Sequence, residues 1–315
     1  MTAPVTATAS GTALPATMRV FERGWLSSNN VLFSDDRANA TIVDTGYATH
    51  AAQTVALVEA ALHGRRLARI VNTHLHSDHC GGNAALKRRF GAQILIPPGM
   101  AAAVAAWNEE ALTFAATGQV CEPFAFDALL APGAHLRLGG DDWEVIAAPG
   151  HDPHSVMLWS AAERILISAD VLWRHGFGAI FPEIEGASGF AEQRAMLDKI
   201  AELRPRLVIP GHGAPFTDVG EALARAHARL DALAASPERN ARHVARVLIK
   251  FYLLQVRSIQ HAALLEHLSG ARYFRLIHER YFAAQPFEAM IARALQELAA
   301  TRAAEVVGDV VRNID

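Results

Sequence analysis

Apolar and polar positions along the first half of the chain keep changing between the rhythm of a strand and the rhythm of a helix. Val20-Phe21 and Val31-Leu32-Phe33 flank the turn-forming run Ser27-Ser28-Asn29-Asn30, a second turn follows at Ser34-Asp35-Asp36, and Ala40-Thr41-Ile42-Val43 runs into Asp44-Thr45-Gly46. Short runs bounded in this way predict an opening antiparallel sheet. Over 50–62 the residues Val55, Leu57, Val58, Ala61 and Leu62 recur at helical spacing and stop before Gly64, after which 67–71 predicts a short buried strand. A histidine-rich run comes directly after that strand, then a helix over 80–90 and a strand over 93–96. Residues 100–119 are Ala-rich and predict one helix. Residues 124–168 hold several short apolar runs between Pro-Gly, Gly-Gly-Asp-Asp and Pro-Gly-His turns, the pattern of a second sheet. A helix over 189–203, a strand over 207–209, the turn Pro210-Gly211-His212-Gly213 and a long helix over 218–235 complete this part. Near Ser236-Pro237 the rhythm turns helical for the rest of the chain, with no sheet run longer than Val306-Val307. Three segments result: a loose Ala/Thr/Pro-rich tail over 1–17, a mixed α/β catalytic domain over 18–236 and a mainly helical subdomain over 237–315.

With 51% hydrophobic and 19% charged residues among 315, the chain has the composition of a packed globular protein. A net charge of −3 gives no general attraction to nucleic acid or to an anionic membrane, and neither is expected as a partner. The 2 cysteines, Cys80 and Cys121, are too few for a disulfide framework and suit a reducing compartment. Residues 1–17 contain no Lys or Arg and no continuous apolar stretch, unlike a secretory signal or a membrane span, so the expected location is the cytoplasm.

The chemistry is concentrated in Thr73-His74-Leu75-His76-Ser77-Asp78-His79. Because this run leaves a buried strand, it is expected on a loop at the strand's C-terminal edge. On extended backbone His74 and His76 project the same way and can bind one ion together, while Asp78 and His79 turn away and can serve another. Pro149-Gly150-His151 and Pro210-Gly211-His212 each place a histidine after a Pro-Gly turn at a strand end, and Ile165-Leu166-Ile167-Ser168-Ala169-Asp170 places a carboxylate at the end of another. Imidazole nitrogen and carboxylate oxygen are the donors that borderline divalent metals of the zinc type prefer.

With T-H-L-H-S-D-H-C-G-G as a signature, followed by His, Asp and His in order, residues 18–235 resemble the metallo-β-lactamase-fold superfamily. That resemblance implies a four-layer αββα sandwich holding two divalent metal ions, zinc by preference, with iron or manganese also suited. It assigns His74, His76 and His151 to the first ion and Asp78, His79 and His212 to the second, with Asp170 bridging. Asp44 falls where relatives keep an acid beneath the site that orients a ligand histidine. Two ions sharing a hydroxide account for hydrolysis without a Ser or Cys nucleophile, with Asp78 and Asp170 as the catalytic carboxylates. Cys80 reads as packing.

Members of the superfamily hydrolyse β-lactams, thioesters, lactones, phosphodiesters and RNA, and some are oxidoreductases. True β-lactamases of this fold lack the bridging Asp, so Asp170 speaks against that activity. Glyoxalase II thioesterases share all seven ligands but continue after the bridging Asp with a Cys-Gly-Arg-Phe-type segment, where this chain has Val171-Leu172-Trp173-Arg174-His175-Gly176-Phe177-Gly178. That departure counts against glutathione recognition, and the expectation is a hydrolase of small-molecule thioesters or related esters and lactones. Trp173, Phe177 and His154 are candidate substrate contacts. The alternatives are a phosphodiesterase or ribonuclease, and a mononuclear iron oxygenase in which Asp78 and His212 do not ligate. A helix over 287–298 followed by Ala304-Glu305-Val306-Val307 is similar to the small winged-helix-like appendage of some members. Self-association into a homo-oligomer is left open.

Overall fold

The structure, a computed structural model, describes residues 14–315. Most of the expected tail, residues 1–13, lies outside the described residues. Of its last four, Leu14 packs on the core between the sheets and the Thr17 carbonyl accepts the Ser34 N–H at 2.8 Å.

One sheet has six strands in sequence order: β1 (Met18–Phe21), β2 (Asn30–Ser34), β3 (Asn39–Val43), β4 (Arg66–Val71), β5 (Gln93–Ile96) and β6 (Ala128–Leu129). Pairing is antiparallel through β3 and parallel from β3 onward. Its outer face carries α1 (Ala51–Leu62), α2 (Ser77–Cys80), α3 (Asn83–Phe90), α4 (Ala101–Ala106) and α5 (Phe114–Thr117). The second sheet contains β7 (His135–Leu138), β8 (Asp141–Ala147), β9 (Val156–Ser160), β10 (Ile165–Ala169) and β11 (Leu207–Pro210), antiparallel except for the parallel pair β10–β11. After α6 (Pro182–Glu185), α7 (Phe190–Leu203) and α8 (Val219–Ala234) cover its outer face.

Strand periodicity dictates this layering. Val31 and Phe33 of β2 join Trp143, Val145, Leu158 and Ile167 in the core between the sheets, whereas Leu32, between them in sequence, packs outward with Val58 and Leu86 under the helices. The result is the expected αββα sandwich.

Two expected helices are broken, each for a local reason. The helix over 80–90 gives way to α2 and α3 at Gly81-Gly82, where a Cβ on Gly82 would stand 2.5 Å from the Thr45 carbonyl oxygen. Over 100–119 the chain interrupts itself at Trp107 and Thr113, both left-handed at φ 46 and 66. There Asn108 Oδ1 accepts the Ala111 N–H at 3.1 Å, a side-chain turn that competes with helix. Trp107 packs instead edge-on against Phe124.

The C-terminal part is not all helix either. After α9 (Pro237–Val256), strand β12 (Ser258–Gln260), α10 (His261–Gly270), α11 (Arg272–Tyr281) and α12 (Phe287–Ala300), a hairpin of β13 (Ala304–Val307) and β14 (Val310–Asn313) pairs with β12. These strands have 3 or 4 residues each, too short for a sequence period, and Lys250 Nζ ties α9 to them through Ala303 O, Asn313 Oδ1 and Ile314 O at 2.6–2.8 Å. Among the described residues no helix is long and apolar enough to cross a membrane.

Candidate metal centre

The C-terminal ends of β4, β10 and β11, together with the turn after β8, meet at one edge of the sandwich, where the Val156 N–H donates to Thr73 O at 2.8 Å and joins the two sheets. All seven expected ligand residues gather there in three overlapping groups: His74, His76 and His151; Asp78, His79 and His212; and His74, His79 and Asp170. His74 and His76 are on extended backbone as expected. Asp78 and His79 are not on the expected loop but on the single helical turn α2, which begins right after His76 (φ −64, ψ 148) and brings them to His212 while the His79 ring stays 4.0 Å from that of His74.

Outer hydrogen bonds decide which nitrogen each ring offers. His151 Nδ1 donates to Ala179 O, His74 Nδ1 donates to Thr73 Oγ1 at 3.2 Å, and Asp152 Oδ2 faces His76 Nε2 at 3.6 Å. The inner nitrogens are then lone pairs, and His76 Nδ1 lies 3.1 Å from His74 Nε2 and 2.8 Å from His151 Nε2. Nitrogens bound tetrahedrally to one zinc would be about 3.3 Å apart. Burial pushes the His76 and His151 pKa values down to about 4 and that of His74 well below its ordinary value, which keeps these rings neutral near pH 7.

His79 is held differently. Its Nδ1 donates to Asp44 Oδ2 at 2.8 Å, and the same carboxylate accepts the Thr73 N–H at 2.9 Å and the Thr73 hydroxyl at 2.8 Å. The buried His79 Nε2 has no hydrogen-bond partner, and it faces Asp170 Oδ1 at 3.4 Å and Asp78 Oδ2 at 3.9 Å. Burial works against a charge on this ring, but Asp170, Asp44 and Asp78 outweigh it and push the pKa well above the ordinary value. Asp78 Oδ2 lies 3.0 Å from His212 Nε2, and Asp170 Oδ2 lies 3.5 Å from His151 Nε2 and 3.9 Å from His212 Nε2. Asp170 thus stands between the two groups.

Charge and shape both fit cations. Asp44, Asp78 and Asp170 are buried, and among the described residues no Lys or Arg pairs with any of them. Buried carboxylates require a compensating charge, and with His74, His76 and His151 held neutral by burial, protonation of His79 alone offsets only part of the three. A Cβ at Gly211 would come within 2.1 Å of Asp170 Oδ1, and one at Gly178 within 2.5 Å of His151 Nδ1, so only glycine leaves these ligands their positions. Asp44 and Ala169 are left-handed at φ 56 and 47, a strain of roughly 1 to 3 kcal/mol each, located beside ligands.

Of the candidate substrate contacts, Trp173 reaches the cleft in front of these ligands and donates its Nε1–H to Asp170 Oδ1 at 3.1 Å. Phe177 does not: it is fully buried in the core under α7 and α8, with the Arg229 guanidinium 5.0 Å above its ring. His154 is exposed outside the cleft, its ring against Gly99. Cys80 is buried, with its thiol toward Leu75 O at 3.5 Å and Cys121 Sγ at 3.9 Å. The sequence reading missed Asp152 behind His76, and it missed Trp25 and the α9 residues Val247, Leu248 and Phe251 that line the cleft. Asp152 adjoins His151 and was open to the same reasoning; the others come from distant segments and carry no motif.

The profile of the Metallo-beta-lactamase superfamily matches residues 23–212. A hydroxyacylglutathione hydrolase of Anaeromyxobacter dehalogenans (strain 2CP-C) is 33% identical over 188 residues, which are 59% of this chain and 62% of that protein. One of Yersinia enterocolitica serotype O:8 / biotype 1B (strain NCTC 13174 / 8081) is 29% identical over 179 residues, 56% of this chain and 58% of that protein. The chain therefore spans about six tenths of the length of these curated relatives. The crystal structure of a beta-lactamase domain protein from Burkholderia ambifaria superposes with a TM-score of 0.57 at 22% identity, over 96% of this chain and 94% of that one. At that identity the likeness is one of fold.

Proposed function

Because the chain belongs to the metallo-beta-lactamase superfamily, we propose that it is a dinuclear metal-dependent hydrolase of thioesters or related carboxylic esters and lactones. The observation that carries this reading is the pair of ligand groups with Asp170 facing both. A single-iron oxygenase would leave Asp78 and His212 without a task, yet both converge with His79. The names of the curated relatives support thioesters as the first substrate class to test.

His74, His76 and His151 would hold one ion, Asp78, His79 and His212 the other, and Asp170 both. Two divalent ions, zinc by preference, would supply Lewis acidity there, bringing the pKa of a water toward neutrality and polarising the carbonyl oxygen. The protein's own groups do the positioning. Asp44 fixes the His79 ring through Nδ1 and so aims Nε2 inward. Trp173 fixes the Asp170 carboxylate. Asp78, which lines the cleft, accepts a hydrogen of the attacking water and orients its lone pair toward the carbonyl. The segment over 237–315 reads as a winged-helix-like subdomain on the catalytic domain over 18–236, given its order of helix, strand, helices and hairpin.

Metal analysis of the purified protein is expected to give two equivalents per chain, with thioester turnover lost in His76→Ala and in Asp170→Ala. Full turnover by a metal-free preparation would overturn the proposal.

A further inference from the structure

Apart from the expected ligands, the cleft is lined mainly by aromatic and aliphatic side chains, joined by the uncharged polar groups of Thr113, Thr117 and Gln119. Trp25 stands on the segment between β1 and β2 and is 60% exposed, the largest apolar side chain so placed among the described residues. It is not on a slack loop. The Ser28 N–H donates to Asp78 O at 2.9 Å and the Asn29 N–H to Gly211 O at 2.7 Å. Asn29 Nδ2 donates to Pro210 O and Gly213 O at 3.0 and 2.7 Å, which fastens the segment to both ligand-bearing turns. Arg23 holds its other end through Asn30 Oδ1, Thr54 Oγ1 and Gln53 Oε1 at 2.7–2.9 Å. An exposed indole forfeits the stabilisation that burial would bring, and here a fastened loop maintains that exposure.

The indole stacks on the His212 ring (centroids 5.3 Å, planes 9° apart) and meets Trp173 edge-on at 5.3 Å. Across the cleft Phe181 lies edge-on to His76 at 5.3 Å and is stacked on Tyr273 of α11 at 5.5 Å. Val247, Leu248 and Phe251 of α9 add an aliphatic and aromatic face. The cleft occupies about 550 Å³, part of it open to solvent, and neither Lys nor Arg lines it. Its charged side chains are those of the ligand set. Away from the ions that the ligand set would hold, the free carboxylates or phosphates of a substrate would find no Lys or Arg in this cleft to receive them.

We infer that the substrates are esters or thioesters of uncharged apolar or aromatic acids, with the acyl group packed between Trp25 and α9, and that Trp25 sets this preference. Glutathione, whose free carboxylates would meet no cationic side chain in this cleft, is then the poorer carrier. The inference rests on the hydrolase reading above and narrows it.

The test uses the metal-loaded protein and thioesters of one neutral thiol, N-acetylcysteamine, with acetyl, hexanoyl and phenylacetyl groups, alongside S-lactoylglutathione. Each methylene moved from water to such a wall is worth roughly a factor of three to four. The expected kcat/KM for the hexanoyl and phenylacetyl thioesters exceeds that for acetyl by about thirtyfold or more, with S-lactoylglutathione the poorest. Trp25→Ala should reduce the hexanoyl-to-acetyl ratio to about fivefold or less, and Trp25→Phe should restore most of it. In parallel, binding of the non-hydrolysable amide analogue of the phenylacetyl compound is followed by quenching of indole fluorescence, and Trp25→Ala should weaken it by about tenfold. A flat acyl series, a preference for S-lactoylglutathione, or an unchanged ratio in Trp25→Ala would overturn the inference while leaving the hydrolase reading intact. Trp25-dependent amide binding without turnover of any thioester, ester or lactone would overturn the hydrolase reading instead, leaving Trp25 only as a binding wall for the acyl group.

Discussion

At the scale of single residues, the proposed metal site is held in shape by side chains outside the expected ligand set. Asp44 is the clearest: it accepts hydrogen bonds from Thr73 N–H, the Thr73 hydroxyl and His79 Nδ1 at 2.8–2.9 Å. Removing such an acceptor frees the ligand ring to rotate or to take the other tautomer, and a partner of this kind is typically worth 10–100-fold in metal affinity. Asp44→Ala is therefore expected to fold and to lose metal affinity by about that factor, as read by competition with a chromophoric chelator. Unchanged affinity would show that the His79 ring is oriented by something else. Gly211→Ala tests the opposite error, too much matter instead of too little. Its Cβ would meet Asp170 Oδ1 at 2.1 Å, and because the ligand cannot yield without leaving both groups, a bound-metal ratio below two per chain is expected at a modest cost in melting temperature. His74, His76, Asp78 and His79 were legible as a cluster because their motif is compact, although the helical turn that carries Asp78 and His79 was expected to be loop. Trp25 was not, since nothing local distinguishes an exposed indole on a cleft wall from one on a plain surface.

At the scale of elements, the contact between α8 and α9 contains a group whose titration bears on stability. Arg229 Nη2 of α8 donates to His243 Nε2 of α9 at 2.7 Å, so the imidazole is held as an acceptor and therefore neutral. Burial first, then the charges of Arg229 and Arg246, pushes the His243 pKa down to about 3. The unfolded chain binds this proton near pH 6.5 and the folded chain does not, so stability falls as pH falls below about 6.5 and levels off near 3. The slope from this group alone is about 1.4 kcal/mol per pH unit in that window. Urea midpoints between pH 7 and 5 are expected to fall less steeply in His243→Gln, whose amide can still accept from Arg229 without charging. Parallel slopes would remove His243 from the account. The elements themselves were legible where a long period exists, as in α1, α7 and α8. They were missed where a side chain overrules the period, as Asn108 does within 100–119, or where strands of 3 or 4 residues are too short to show one, as in β12 and β14.

At the scale of the whole molecule, the change of rhythm near Ser236-Pro237 is real in sequence but does not divide the core. Ala116, Ala179 and Ile184, from the part before that point, share one buried cluster with Val244, Leu248, Phe274 and Ile291 from the part after it. Polar contacts cross the same line: Asn240 Nδ2 donates to Ile180 O at 3.0 Å, Tyr281 Oη to Glu183 O at 3.1 Å, and Tyr47 Oη to Gln255 Oε1 at 2.8 Å. Because α9 also forms one wall of the cleft, the C-terminal helices cannot detach without opening the site. The two parts should therefore unfold together. A single thermal transition is expected, with circular dichroism, tryptophan fluorescence and metal release coinciding and the calorimetric enthalpy matching the van't Hoff value. Phe274→Ala, a fully buried truncation in α11, should lower that one transition by roughly 3 to 5 kcal/mol and carry metal release down with it. Two separate transitions, with metal retained after the first, would show instead that 18–236 holds its site alone and that the shared cluster adds nothing to it.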